Sequence, residues 1–247
     1  MAEATVYGFE FSHPTVCTLL ALDAKGVETK LVRVMPGMHP VIVRALGFPR
    51  NTVPAVKLDG KRLQGSREIT AYLERTRPEP PLFGSGEAER RRIESAEEWA
   101  ERELQPVPRK VFRRAATKNP AVMEWIAVTA GMPAPKVMAR VSKPIALAFA
   151  RSEGADDETV RATLASLPGM LDRVDELIAD GTIGGERPNA ADLQILTTIR
   201  LMMAIPDLEP FLAGRPCVAA AERLIPAPPD GLPRMLPAEW TREAMPA

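Results

Sequence analysis

The arrangement of apolar residues changes at one short segment rich in proline and glycine, residues 78–86. Before this segment, alternating runs typical of strands are mixed with helical stretches, whereas after it the long apolar patterns have helical spacing. The segment itself has the composition of a linker. The sequence therefore predicts a mixed α/β unit over residues 1–79, a linker over 80–88 and an all-helical unit over 89–247.

The first unit is predicted to contain four strands and three helices. Strands are expected over 5–9, 29–34, 55–58 and 61–64, and helices over 14–23, 40–46 and 66–75. The dipeptide Asp59-Gly60 favours a type I′ turn, so the last two strands should form a hairpin. Ser66 can cap the third helix with its hydroxyl. The predicted order is βαβ, then α, then ββα.

The second unit is predicted to consist of helices. Helical stretches are expected over 88–104, 121–130, 136–151, 157–179, 190–204 and 217–224. The stretch 157–179 carries its apolar residues on one stripe, the pattern of a helix with one buried face. The stretch 190–204 is mostly apolar, so we expect a central buried helix. The proline-rich end is expected to lie on the surface as a tail.

The composition excludes several classes of protein. The 247 residues include 32 basic and 32 acidic side chains, so the chain is formally neutral and lacks the positive field that nucleic-acid binding usually needs. Two cysteines, Cys17 and Cys217, and two histidines are too few for a disulfide framework or a metal site, and both cysteines are expected to be packed. No apolar run suits a membrane span, and no signal peptide is recognisable. We expect a cytoplasmic protein with no nucleic-acid or membrane partner.

Four short motifs carry a resemblance to a known family. They are Ser12-His13-Pro14, Val53-Pro54, Gly65-Ser66-Arg67-Glu68-Ile69 and Asn189-Ala190-Ala191-Asp192. In order and spacing these motifs resemble the glutathione S-transferase family of the cytosolic type, and especially its actinobacterial members. The resemblance implies a thioredoxin-like N-terminal domain that binds a thiol, an all-α C-terminal domain that binds a hydrophobic electrophile, and a homodimer.

Ser12 is the catalytic residue that the resemblance implies, because the family places a hydrogen-bond donor here for the thiol sulfur. A thiol with a pKa near 8.5 is mostly protonated at neutral pH, and a hydroxyl donor at the positive end of a helix favours its anion. Two alternatives stay open: Ser12 as a helix cap only, and Tyr7 as the donor. His13 can be an acid, a base or a second cap, and we expect a capping or solvated side chain.

The thiol-binding residues are also taken from the resemblance. Val53 and Pro54 match the family's cis-proline site, where the backbone of Val53 pairs with that of the thiol like an added strand. Ser66 would bind a carboxylate at the start of a helix, which is an anion site on general grounds. The remaining expected thiol ligands are His39, Gln64 and Arg67.

Gly65 departs from the family pattern, in which a glutamate or glutamine before the serine holds the glutamyl amine. Here that contact has to come from Gln64 or Glu68, or is not made. The co-substrate is therefore expected to be glutathione or another low-molecular-weight thiol.

Two further groups of residues are given structural roles. Asn189 and Asp192 match a capping box, in which each side chain accepts from the other residue's backbone N–H. A basic cluster is expected to be a solvated face, with the mouth of the electrophile site as the alternative. Its members are Arg109, Lys110, Arg113 and Arg114.

The sequence thus predicts an enzyme that activates a thiol for attack on a hydrophobic electrophile, with no metal and no bound cofactor. Two other functions remain on the same scaffold, since fold does not fix chemistry. One is a non-catalytic thiol- or ligand-binding protein. The other is a thiol-dependent isomerase or an ether-cleaving or dehalogenating enzyme.

Overall fold

The computed structural model describes residues 3–245. The first part of the chain contains four strands and three helices, in the predicted order. The strands are β1 (Ala4–Gly8), β2 (Thr29–Arg33), β3 (Ala55–Leu58) and β4 (Lys61–Gln64), and the helices are α1 (His13–Ala24), α2 (His39–Ala45) and α3 (Ser66–Thr76).

The four strands form one mixed sheet in the order β2-β1-β3-β4. Strand β1 is parallel to β2 and antiparallel to β3, and β3 and β4 form an antiparallel hairpin. The hairpin turns at Asp59 and Gly60, which have φ angles of 51° and 73°, as a type I′ turn requires. Because β1 lies in the middle, the chain leaving its end enters α1 at the centre of the sheet edge.

The rest of the chain is helical. Its helices are α4 (Glu87–Trp99), α5 (Pro106–Lys118), α6 (Pro120–Thr129), α7 (Pro135–Val141), α8 (Lys143–Ser152), α9 (Asp157–Ala179), α10 (Ala190–Met203), α11 (Glu209–Leu212), α12 (Pro216–Leu224) and α13 (Ala238–Ala244). Within residues 3–245, no helix combines the length and apolarity that crossing a bilayer demands. The predicted domain boundaries at residues 79 and 89 stay a prediction.

Three helical predictions need correction, and prolines or local winding explain each. The stretch 88–104 is not one α-helix, because it winds as a π-helix over Ala100–Leu104. No helix was predicted between residues 104 and 121, whereas α5 begins there with Pro106 and Pro108 in its first turn, where a missing N–H costs nothing. The stretch 136–151 is divided into α7 and α8, with Pro144 in the first turn of the second helix.

Helix α10 is the central buried helix, as predicted. It packs against α1, α4 and α12, and its side chains Leu193, Ile195, Leu196 and Ile199 are fully buried. At its start, the Asn189 side chain accepts from the Asp192 N–H at 3.0 Å and the Asp192 carboxylate accepts from the Asn189 N–H at 3.0 Å. The same carboxylate accepts from the Gly184 N–H at 2.7 Å, so it fixes the loop before the helix as well.

Candidate functional site

A cavity of about 340 Å³ lies between the α/β unit and the helices, at the N-terminal end of α1. The α/β unit contributes Ser12, His13, His39 and the loop ending in Val53 to its wall. The helices α5, α6 and α8 contribute the opposite wall. Four of the residues that the sequence singled out are therefore brought together here, although they are spread over 42 positions of the chain.

Ser12 stands at the cap position of α1, with its backbone extended at φ −90° and ψ 104°. Its carbonyl accepts the first helical hydrogen bond, from the Val16 N–H at 3.0 Å. Its hydroxyl makes no hydrogen bond to any residue in the described part of the chain. The side chain is nearly buried and lies at the cavity wall, so its hydroxyl is free to donate to a bound molecule at the positive end of the helix.

His13 is not a solvated or capping side chain, so that expectation is wrong. Its ring is buried, and its Nδ1 lies 2.9 Å from the Oγ1 of Thr198 on α10. The Thr198 hydroxyl donates its only proton to the carbonyl of Gln194 at 3.0 Å, so it must accept from His13, and Nδ1 carries the imidazole proton. Burial, and then the charge of Arg109, lower the pKa of His13 to about 3. The imidazole is therefore neutral, with Nε2 as an acceptor.

His39 also lies at the cavity wall, and aromatic rings hold it in place. Its ring is stacked on Phe149 with centroids 5.5 Å apart and planes 9° apart, and it meets Phe9 edge-on at 5.8 Å. The guanidinium of Arg113 covers the Phe149 ring at 4.3 Å. Burial, and then the charge of Arg113, lower the pKa of His39 to about 4, so this ring too is neutral. Its buried Nδ1 has no hydrogen-bond partner in residues 3–245.

Two members of the basic cluster line the cavity, and Arg114 is buried among other helices, so none of these three forms the expected solvated face. Arg109 and Arg113 line the cavity, so the expectation that they belong to a solvated face is wrong. Arg113 is 3.4 Å from Glu153, and burial lowers the pKa of its guanidinium. Arg114 instead pairs with Asp157 at 2.8 Å and lies over the ring of Trp240. The cavity thus presents two guanidinium groups beside two neutral imidazoles.

The loop that ends in Val53 forms another part of the wall. The Val53–Pro54 peptide bond is cis. The Pro54 carbonyl accepts from the Gly65 N–H at 3.0 Å. The N–H and carbonyl of Val53 have no backbone partner among the residues described, so both are available to an extended molecule in the cavity.

Three of the expected thiol ligands, Ser66, Gln64 and Arg67, lie outside this cavity. The Ser66 hydroxyl is buried and donates to the side-chain oxygen of Gln194 at 3.0 Å. Arg67 is paired with Glu97 and Glu101 at 3.2 Å each. The side chains of both residues thus join the α/β unit to the helices, and their roles as thiol ligands stay a prediction.

Gln64 is fully buried and holds the loop before Val53. Its amide oxygen accepts from the Arg50 N–H at 2.8 Å, and its amide nitrogen donates to the carbonyls of Arg50 and Thr52 at 2.9 and 2.7 Å. Glu68, the other candidate for the amine contact, is paired with the Arg50 guanidinium at 2.6 Å. Gly65 has no side chain to hold the glutamyl amine. The two residues that could make this contact instead, Gln64 and Glu68, are both engaged in contacts within the chain.

The apolar wall of the cavity is the part that sequence reasoning missed. Phe11, Phe112, Ile126 and Phe149 line it, and they come from the end of β1, α5, α6 and α8. They share no motif or spacing, so only the packing of the two units brings them together.

The cysteines are packed elsewhere, as expected: both are buried, and burial raises the pKa of both thiols, for Cys217 to about 12.

Comparisons with known proteins place this geometry in a family context. Residues 6–81 match the family model described as glutathione S-transferase, N-terminal domain. No curated protein matches the chain in sequence. Among solved structures, poplar glutathione transferase F1 is similar, with 17% identity, a TM-score of 0.61, and 90% of this chain and 91% of that chain covered.

Two bacterial structures are similar to the same degree. A glutathione S-transferase from Rhodospirillum rubrum has 18% identity and a TM-score of 0.60, with 96% and 98% of the two chains covered. A maleyl pyruvate isomerase, a bacterial glutathione S-transferase in the zeta class, has 19% identity and a TM-score of 0.57, with 88% and 90% covered. The predicted resemblance and fold class, a thioredoxin-like unit followed by helices, are confirmed. The chain has the glutathione transferase fold, and its residues 6–81 match the model of the glutathione S-transferase N-terminal domain.

Proposed function

We propose that the chain is a transferase that activates a low-molecular-weight thiol for attack on a hydrophobic electrophile. The observation that carries the proposal is the unpaired Ser12 hydroxyl, which stands at the N-terminal end of α1 and at the wall of a 340 Å³ cavity. A donor in this position favours a thiolate over a thiol. The free backbone groups of Val53 would bind the thiol beside it.

The reaction proposed is a nucleophilic substitution or addition. The thiol loses its proton to water, and its sulfur then forms a bond to an electrophilic carbon. In a substitution a leaving group departs with its electron pair, and in an addition the electron pair of the double bond takes up a proton from water. Ser12 keeps its own proton and donates a hydrogen bond to the sulfur. The apolar wall around Phe112, Ile126 and Phe149 would hold the electrophile and exclude water.

The thiol is proposed to be one whose recognition does not depend on a glutamyl end. In this chain Ser66 and Arg67 bind partners within the protein, and Gln64 and Glu68 do the same. Glutathione is thus expected to bind, if at all, through its cysteinyl part alone. A thiol with a neutral or different group at that end should bind more tightly.

A thiol-dependent isomerase is the second candidate, and the two guanidinium groups of Arg109 and Arg113 favour it. Guanidinium groups in a partly buried site are suited to carboxylates, and the solved structures with this fold include a maleyl pyruvate isomerase. In that case the thiolate would add to a double bond of an acidic substrate and leave again after rotation about the former double bond.

Thiol binding and turnover distinguish these functions. Calorimetry with glutathione and with other low-molecular-weight thiols measures binding, and turnover is followed with an aryl halide and with an unsaturated dicarboxylate. Conjugation of the aryl halide supports the transferase, and isomerisation of the dicarboxylate supports the second candidate. Thiol binding without either reaction identifies a binding protein, and absence of thiol binding overturns the proposal.

Two expectations about the whole protein accompany this proposal. We propose that the protein is a cytoplasmic homodimer, as the family resemblance implies. We also propose that it works without a metal or bound cofactor, since the chemistry described needs only the thiol as co-substrate.

A further inference from the structure

The exposed large apolar side chains are concentrated in two short segments. Apart from Met245, those of the described residues are Met35, Met38, Val41, Val128, Val137 and Val141, with exposures between 41% and 63%. The first three lie in and before α2, and the last three lie in α6 and α7. Single exposed apolar residues are ordinary, whereas a contiguous group marks an interaction surface.

The two segments are neighbours in the fold, because Pro36 and Gly37 line one small pocket together with Met138 and Ala139 of α7. A Cβ atom on Gly37 would lie 3.3 Å from the side chain of Ile145, at the start of α8. A groove beside it is lined by Met35 from one segment and by residues 129–133 from the other. The six apolar side chains, together with the basic side chains around them, are called the basic–apolar patch below.

Helix α7 shows that this surface is not covered by the protein itself. Its sequence is PKVMARV, and none of its residues is buried. A surface helix of a folded chain normally buries its apolar side chains against the core. Here Met138 and Ala139 are only partly buried, and Val137 and Val141 are exposed next to the exposed side chains of Lys136 and Arg140.

The charge of the patch is positive, although the whole chain is neutral. Residues 29–58 and 125–152 contain no aspartate or glutamate. Of their exposed basic residues, Arg33 and Arg50 are balanced by acidic partners, and Arg151 borders another pocket with Asp156, Asp157 and Glu158. The basic residues that remain are Lys30, Arg44, Lys136, Arg140 and Lys143. Acidic residues nearby are mostly paired: Glu10 with Arg33, Glu68 with Arg50 and Glu153 with Arg113. Glu124 on α6 is the acidic residue at the edge of the patch.

We propose that the basic–apolar patch docks on the surface of an anionic lipid membrane, a partner that the composition of the whole chain had led us not to expect. Apolar side chains that alternate with long cationic ones suit the boundary between headgroups and acyl chains, where a helix such as α7 lies in the plane of the surface. A second copy of the chain does not suit the patch, because a two-fold contact would bring its positive charges together.

Flotation of the full-length protein with lipid vesicles tests the proposal without any assay of activity. Vesicles of phosphatidylcholine alone are compared with vesicles containing phosphatidylglycerol, at low and at physiological salt. We expect binding to the anionic vesicles only, weakening as salt rises. An acidic protein partner would leave the protein unbound to both kinds of vesicle, and that result overturns the proposal.

Matched variants separate docking from a general effect of charge. Each basic residue near an anionic surface contributes about fivefold to partitioning, so Lys136→Gln with Arg140→Gln should weaken binding about 25-fold. Arg91→Gln with Arg92→Gln removes the same charge from exposed positions on α4 and should change binding less than about twofold.

A third variant tests the apolar side chains. Val137→Ser with Val141→Ser keeps the charge and should also weaken binding, while the circular dichroism spectrum stays that of the folded protein. An equal loss of binding in the α7 and α4 charge variants, or unchanged binding in the serine variant, overturns the proposal.

Discussion

The two histidines of the cavity show how strongly a side chain's surroundings control its chemistry. His13 donates through Nδ1 to Thr198, and His39 is enclosed by Phe9 and Phe149. Burial lowers the pKa of the first to about 3 and of the second to about 4. Both rings are therefore neutral hydrogen-bonding groups at physiological pH, and neither adds charge to a site that already contains two arginines.

These pKa values predict a loss of stability in acid. A histidine has a pKa near 6.5 in the unfolded chain, so below that pH the unfolded state takes up protons that the folded state does not. The free energy of unfolding should fall as the pH drops from 6.5 towards 4, by about 1.4 kcal/mol per pH unit for each histidine.

Urea unfolding at a series of pH values measures this effect. His13→Asn keeps a donor for Thr198 but removes the titrating ring, so its difference from the wild-type protein should be constant above pH 7 and change steadily below 6.5. A difference that is the same at every pH would show that folding does not lower the pKa of His13.

At the scale of secondary structure, the sequence predicts well those features that depend on residues close together in the chain. The Asp59-Gly60 hairpin and the Asn189–Asp192 capping box each depend on residues close in sequence, and both appear as expected. Helix α5 was not predicted because its first residues include Pro106 and Pro108, and a proline fits a loop and the first turn of a helix equally well. The contact of Ser66 with Gln194 joins residues 128 positions apart, and no local pattern contains it.

The capping box predicts a structural effect of substituting Asp192. Asp192→Ala removes the hydrogen-bond acceptor of the Asn189 and Gly184 N–H groups, so we expect a loss of about 1–3 kcal/mol in the free energy of unfolding. Thiol affinity of the folded fraction should stay within about twofold, because the residue is remote from the cavity wall. Urea unfolding and calorimetry measure the two quantities. Unchanged stability together with lost activity would assign Asp192 to catalysis instead.

At the scale of the whole molecule, the packing of two units creates the site. The fold class was predictable because strand and helix periodicities differ, whereas the aromatic wall of the cavity was not, since Phe11, Phe112 and Phe149 meet only after the units pack. The same packing engages Ser66 and Arg67 between the units. A motif that matches a family by sequence can thus serve a different contact in the folded chain.

The expected homodimer is a prediction about the assembled protein. Two-fold dimers are the commonest closed oligomers, and the family resemblance implies one here. Sedimentation at micromolar concentration should give a species of twice the 26.9 kDa chain mass. A single species at the chain mass would refute the dimer.

The role of Ser12 is the central claim, and the titration of a bound thiol tests it most directly. A hydrogen bond to a charged group contributes about 1.5–3 kcal/mol, so Ser12→Ala should raise the pKa of the bound thiol by about one to two units and lower turnover roughly 10- to 150-fold. Ser166→Ala, which removes an exposed hydroxyl on α9, serves as the control.

The measurement is the thiolate absorbance of the complex against pH, in the wild-type protein and in both variants. The account predicts that the wild-type and Ser166→Ala curves coincide and that the Ser12→Ala curve moves to higher pH. Three coinciding curves would contradict it and would remove the Ser12 hydroxyl from the mechanism.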